Sequence, residues 1–102
     1  MAVIEAGGRK LKVSVISPTA VGFVGEGESV IIPAYDGLMG VLYGHAPMMT
    51  LLGEGEVVVR DGSEEHRIGV AGGFLQVVEN EVSVLAERVI TDDSEETEET
   101  SN

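Results

Sequence analysis

The sequence predicts an all-β fold, an antiparallel sandwich or barrel, on three observations. Apolar and polar residues alternate with period two, as in a half-buried strand. Turn signals recur roughly every 8–10 residues, the spacing of short antiparallel strands. No window before the final stretch combines helical periodicity with caps.

Residues 1–10 read as a short lead-in containing Gly7-Gly8. In the first strand Leu11, Val13 and Val15 point one way and Lys12 and Ser14 the other. Pro18 ends it by removing an amide donor. Ala20–Val24 and Ser29–Ile32 follow as apolar segments, with Gly25-Glu26-Gly27 as the expected break between them. Asp36-Gly37 and Asp61-Gly62 accept positive φ and predict tight reversals. Gly53-Glu54-Gly55 and Glu79-Asn80-Glu81 are further turn signals. Between them lie the strand candidates Val57-Val58-Val59, Ile68-Gly69-Val70, Phe74–Val78 and Val82–Ala86. The body is thus expected over residues 11–90, followed by an acidic tail over 91–102.

Composition narrows the function classes. A chain of 102 residues with 43% hydrophobic residues supports one domain with its own core. With no cysteine, neither a disulfide framework nor a thiolate metal site is available. A net charge of −12 opposes binding to a nucleic-acid backbone, so no nucleic-acid partner is expected. Half of that charge lies on Asp92, Asp93, Glu95, Glu96, Glu98 and Glu99. Like charges with nothing to bury predict a solvated, disordered tail; the competing reading is a contact arm for a basic partner. The spacing of the acids does not match a calcium loop. Residues 1–10 hold no apolar run long enough for a signal peptide or membrane span, so the sequence reads as cytosolic.

No active site emerges. His66, among Glu64, Glu65 and Arg67, reads as an exposed strand residue. His45 lies in an irregular loop shaped by Gly44 and Pro47, and its only nearby acid, Asp36, is already accounted for by a turn. Two isolated histidines do not make a metal site. No serine stands in a nucleophile elbow. Gly72-Gly73 precedes a strand rather than a helix, which favours a bulge or close backbone approach over a phosphate loop. The expectation is a non-catalytic protein without cofactor or metal.

The segment from Asp36 to Thr50, containing Gly44-His45-Ala46-Pro47, resembles the signature of the epsilon subunit of F-type ATP synthases, called delta in mitochondria. Leu11–Pro18, Phe23-Val24-Gly25, Val30–Pro33, Gly72–Val77 and Val82–Ala86 match the same family in order, so the resemblance covers about Leu11 to Arg88. Two residues depart from the family pattern. Tyr43 stands where proline is frequent, and Leu38 where an acidic residue is common. The resemblance implies a flattened β-sandwich of about ten strands in two sheets. It further implies a rotor subunit of the central stalk in a proton-translocating synthase, coupling c-ring rotation to the gamma subunit. That position is peripheral, on the cytoplasmic face of a bacterial inner membrane, or the matrix or stroma side in an organelle. By the same analogy Ser17, His45 and Thr50 face gamma, and Asp36, Gly37, Leu38 and Met39 face the c-ring. Many bacterial relatives continue into a helical hairpin, whereas here Ala86–Ile90 runs into the acidic residues. We therefore expect coupling without inhibition and without nucleotide binding. Two other readings remain open: a free-standing β-sandwich binding or adaptor module that uses the His45 loop, and a small hydrolase or isomerase using His45.

Overall fold

A computed structural model describes residues 9–90. The expectations placed on residues 1–8 and on the acidic tail, 91–102, lie outside the described residues. Eight strands form: β1 Leu11–Ile16, β2 Val21–Gly27, β3 Ser29–Ala34, β4 Gly37–Leu42, β5 Met48–Leu51, β6 Glu54–Asp61, β7 Glu64–Val78 and β8 Glu81–Ile90. The fold is all-β, as expected, and no helix occurs among the described residues.

Eight strands form among the described residues where the resemblance implies about ten, and Gly25-Glu26-Gly27 is not the break that the sequence suggests. Gly25-Glu26-Gly27 remains inside β2, paired with Val13, Lys12 and Leu11 of β1. These glycines serve packing. A Cβ at Gly25 would strike the Phe23 ring, and one at Gly27 would strike Val59 and the Arg60 carbonyl. At Gly72-Gly73, expected as a bulge or a close backbone approach, β7 bends without ending.

That bend organises the molecule. The sheet runs β2-β1-β8-β7-β6-β3-β4, with β5 also on β7, and only the β1–β8 pair is parallel. Up to Ala71, β7 pairs with β6; from Phe74 onward it pairs with β5. Gly72 and Gly73 have φ of +71° and +112°, values that L side chains rarely adopt. A Cβ on Gly73 would also collide with the carbonyl oxygen of Leu85. The sequence anticipated this close approach. The bend folds one sheet into two layers, β5-β7-β8-β1-β2 and β4-β3-β6-β7, and the core fills the space between them.

The expected alternation holds along most strands. Leu11, Val13 and Val15 are buried on β1, as are Val57 and Val59 on β6, and Val82, Val84 and Ala86 on β8. They meet Val30, Ile32, Val41, Leu52, Ile68, Val70, Leu75 and Val77 in one cluster. Burying each of these Val, Leu and Ile side chains is worth about 1.5–3 kcal/mol, and β-branched residues lose little rotamer freedom in doing so. No polar or charged residue is buried among the described residues. The hairpin turns fall at or one residue from their sequence signals, whereas Glu54 and Gly55 of the expected Gly53-Glu54-Gly55 turn lie inside β6. Tyr35-Asp36, Gly62-Ser63 and Glu79-Asn80 are two-residue loops. Glu79 and Asn80 have φ of +48° and +65°, as a hairpin turn matching strand twist requires.

Candidate functional site

Five strands that bury one face usually leave a polar face to water. Here the outer face of β5-β7-β8-β1-β2 carries one apolar row among polar ones. Leu51 pairs with Phe74, Phe74 with Leu85, Leu85 with Ile16, and Ile16 with Val21. One transverse row is therefore apolar across all five strands. Leu51 and Phe74 are each 51% exposed, Leu85 43% and Val21 69%. In the next row Met49 and Val24 sit at the two ends, exposed, with Gln76, Ser83 and Ser14 between them. Beside this row Ile16, Ser17, Pro18, Phe74, Leu85 and Glu87 line a shallow groove of about 360 Å³. Contiguous exposed apolar patches of this kind occur at partner-binding and ligand-binding surfaces.

The seven residues singled out from the sequence fall in different places. Ser17 borders the groove and shapes the chain reversal after β1. Its Oγ accepts from the Ala20 amide at 3.1 Å and the Thr19 amide at 3.3 Å. Thr50 lies on β5 opposite Leu75, half-buried on the inner side, between the exposed Met49 and Leu51. His45 sits in the β4–β5 loop. Its amide donates to the Leu42 carbonyl at 3.0 Å, and its ring Nδ1 donates to the Ala46 carbonyl at 2.7 Å. Gly44, with φ of +89°, occupies the third position of that turn and donates its amide to Asn80 Oδ1 at 2.7 Å.

Ser17, His45 and Thr50 do not form one cluster. The His45 loop is tied to the β7–β8 turn, which meets the start of β1 through Lys12 N to Asn80 O. Ser17 follows the other end of β1, so about 16 Å of strand separates the two regions. The three residues border the five-stranded half at its two ends and near its middle.

Asp36, Gly37, Leu38 and Met39 form the β3–β4 hairpin at the opposite edge of the sheet. Gly37 has φ of +136° beside the two-residue turn. Leu38 is 73% exposed, and Tyr35 and Leu42 are exposed beside it. Met39 instead faces inward and packs on the core, so the hairpin presents Leu38 rather than the pair. On the outer side of β6 and β7, Arg67 bridges Glu56 at 3.1 Å and Glu65 at 2.7 Å. Asp61 bonds the Lys10 ammonium at 3.0 Å and raises its pKa, chiefly through that hydrogen bond.

Sequence reasoning missed the apolar row and Asn80. The row had a signal. Segments such as Gly73–Val78 and Met48–Leu52 are apolar at both parities, the pattern of a strand covered on both faces. Asn80 had none beyond its turn propensity, because its partner Gly44 is 36 residues away.

A family model for the ATP synthase delta/epsilon chain, β-sandwich domain, matches residues 10–92. An ATP synthase epsilon chain of Leptospira borgpetersenii is 42% identical over 78 residues, which is 76% of this chain and 61% of that one. An ATP synthase epsilon chain of Gloeothece citriformis is 43% identical over 75 residues, 74% of this chain and 54% of that one. The match thus spans between about half and three fifths of the length of such relatives. Its fold is similar to a chain in the Euglena gracilis mitochondrial ATP synthase (OSCP/F1/c-ring), with a TM-score of 0.73 and 18% identity, covering 91% of this chain and 62% of that one. A chain in the Tetrahymena thermophila mitochondrial ATP synthase central stalk and c-ring matches with a TM-score of 0.66 and 13% identity, covering 79% of this chain and 66% of that one.

Proposed function

The chain belongs to the family of ATP synthase delta/epsilon β-sandwich domains, and from that premise we propose that it is a non-catalytic rotor subunit of the central stalk. In this reading it couples rotation of the c-ring to the gamma subunit in a proton-translocating F-type synthase. It sits peripherally, on the cytoplasmic face of a bacterial inner membrane or its organellar equivalent. The relatives named above are epsilon chains, and similar folds occur in complexes that contain a c-ring.

The apolar row from Leu51 through Phe74, Leu85 and Ile16 to Val21 carries the proposal. Left in water such a row is costly; buried against gamma it returns about 25 cal/mol per Å². Ser17 and His45 border that face and are assigned to its rim; Thr50, on the inner side of the edge strand β5, is assigned to gamma by the family resemblance alone. The hairpin of Asp36, Gly37, Leu38 and Met39 lies at the far edge, which suits it to a second contact, with the c-ring. A close-packed body between two contacts can carry torque, because its interior resists deformation. His45 fits a bracing role, since its amide and ring both bond backbone carbonyls.

The test is reconstitution. The chain is added to an alpha-beta-gamma complex lacking this subunit, with and without c-ring, and binding and proton-coupled ATP synthesis are measured. Stoichiometric binding through gamma and restored coupling are expected. Failure to bind gamma, or hydrolytic activity of the chain alone, overturns the reading.

A further inference from the structure

We propose that Asn80 is the positioning residue of the Gly44-His45 loop, and that through this loop it sets the affinity of docking on gamma. The docking half of the statement rests on the function proposed above; the positioning half rests on geometry alone.

The β4–β5 connection carries the chain from one layer of the sandwich to the other. Its own fastening is local: the Leu42 carbonyl accepts from His45, and the Ala46 carbonyl from the His45 ring. Both bonds would survive if the loop swung away as a unit. Besides the Arg9 guanidinium over the Tyr43 ring at 5.9 Å, Asn80 supplies the side-chain hydrogen bond that ties the loop to a different element. Its Oδ1 accepts from the Gly44 amide at 2.7 Å, across 36 residues of sequence. Its carbonyl accepts from the Lys12 amide at 2.9 Å, at the start of β1. Asn80 is half-buried in a two-residue turn with φ of +65°. A left-handed backbone suits Asn better than most residues, because its short amide side chain bonds locally. Here the amide reaches a second loop instead. One residue thus joins the β7–β8 turn, the start of β1 and the Gly44-His45 loop.

Fixing the loop matters only if the loop docks. A loop held in its bound form incurs less ordering cost on association than a free one. If the loop reaches its docked form for only a fraction of the time, apparent affinity falls by that fraction.

Asn80→Gly keeps the positive φ and removes the acceptor; Asn80→Asp keeps both. The full chain is used in each case, with three measurements: thermal midpoint, amide exchange at Gly44, and affinity for the alpha-beta-gamma complex. For Asn80→Gly we expect a nearly unchanged midpoint, faster Gly44 exchange and affinity weakened roughly three- to tenfold, the value of one neutral hydrogen bond. Asn80→Asp is expected to restore exchange and affinity together. Phe74→Asp serves as the control for the docking face. If Phe74→Asp weakens binding while Asn80→Gly does not, the positioning role in docking is overturned and the docking face stands. If neither variant changes affinity, docking through this half of the molecule is overturned. Unchanged Gly44 exchange in Asn80→Gly overturns the positioning claim outright, as does weakened binding that Asn80→Asp fails to restore.

Discussion

The Phe23 ring lies 5.0 Å from the His66 ring, centroid to centroid, at an interplanar angle of 41°. Phe23 belongs to β2, in one layer, and His66 to the first half of β7, in the other. The pair therefore closes the sandwich at the side away from the β7 bend. Phe23 reaches His66 by lying over Gly25, where there is no side chain to block it.

Closure at this point gives the first prediction. Phe23→Ala is expected to destabilise the chain by about 1–3 kcal/mol, less than a fully buried phenylalanine, because Phe23 is only half-buried. His66→Ala costs about 0.5–1 kcal/mol. Gly25→Ala is expected to destabilise as well, by displacing the ring. Urea unfolding of the single and double variants checks this. Strict additivity of Phe23→Ala and His66→Ala would show that the rings do not interact.

The bend in β7 gives a contrast between two glycines. Gly73 has a positive φ and abuts the Leu85 carbonyl and Ala86 Cα. Gly40 lies in β4 with open space where its Cβ would be. Gly73→Ala is expected to cost more than about 2 kcal/mol through strain and collision. Gly40→Ala is expected to stabilise by about 0.5 kcal/mol through lost freedom of the unfolded chain. Thermal melts of both variants decide the matter, and equal effects would contradict the geometry.

Tyr43 occupies the second position of the turn that closes from Leu42 to His45, with Gly44 third at φ +89°. Proline is favoured at that second position when glycine follows. Leu42 before it is a strand residue, compatible with a following proline. Tyr43→Pro is therefore expected to raise stability by about 0.4–1 kcal/mol. The substitution also removes the Tyr43 ring, over which the Arg9 guanidinium sits at 5.9 Å. A lower thermal midpoint would mean that this contact outweighs the turn.

What was legible in the sequence depended on range. Period-two burial on β1, β6 and β8 and the turns at Asp36-Gly37, Asp61-Gly62 and Glu79-Asn80 are local, and local chemistry sets them. Gly25-Glu26-Gly27 misled because glycine as a turn former and glycine as a packing gap look alike until Phe23 and Val59 are placed. The apolar row depends on register: Leu51, Phe74, Leu85, Ile16 and Val21 align only once four strand pairings are known. Met39 beside Leu38 was ambiguous for the opposite reason. Adjacent strand residues face opposite sides, but which side is inner depends on the pairing of Met39 with Ile32.

Leu38 and Phe74 test the two faces of the proposed function separately. Both are large and exposed, at 73% and 51%, and both lie outside the core cluster. An exposed apolar side chain contributes little to folding, so a charge at either position should barely move the thermal midpoint. At an interface the same charge would be driven out of water without a partner, which costs far more. The two residues stand on different layers, Leu38 on the edge strand β4 and Phe74 on the central β7. Leu38→Asp is expected to weaken association with the c-ring and leave binding to alpha-beta-gamma unchanged. Phe74→Asp is expected to weaken binding to alpha-beta-gamma at least tenfold, an effect of about 1.4 kcal/mol or more. A tight complex with Leu38→Asp would remove this hairpin from the apolar contacts. A large fall in midpoint for either variant, with assembly intact, would make that residue part of the fold and not of an interface.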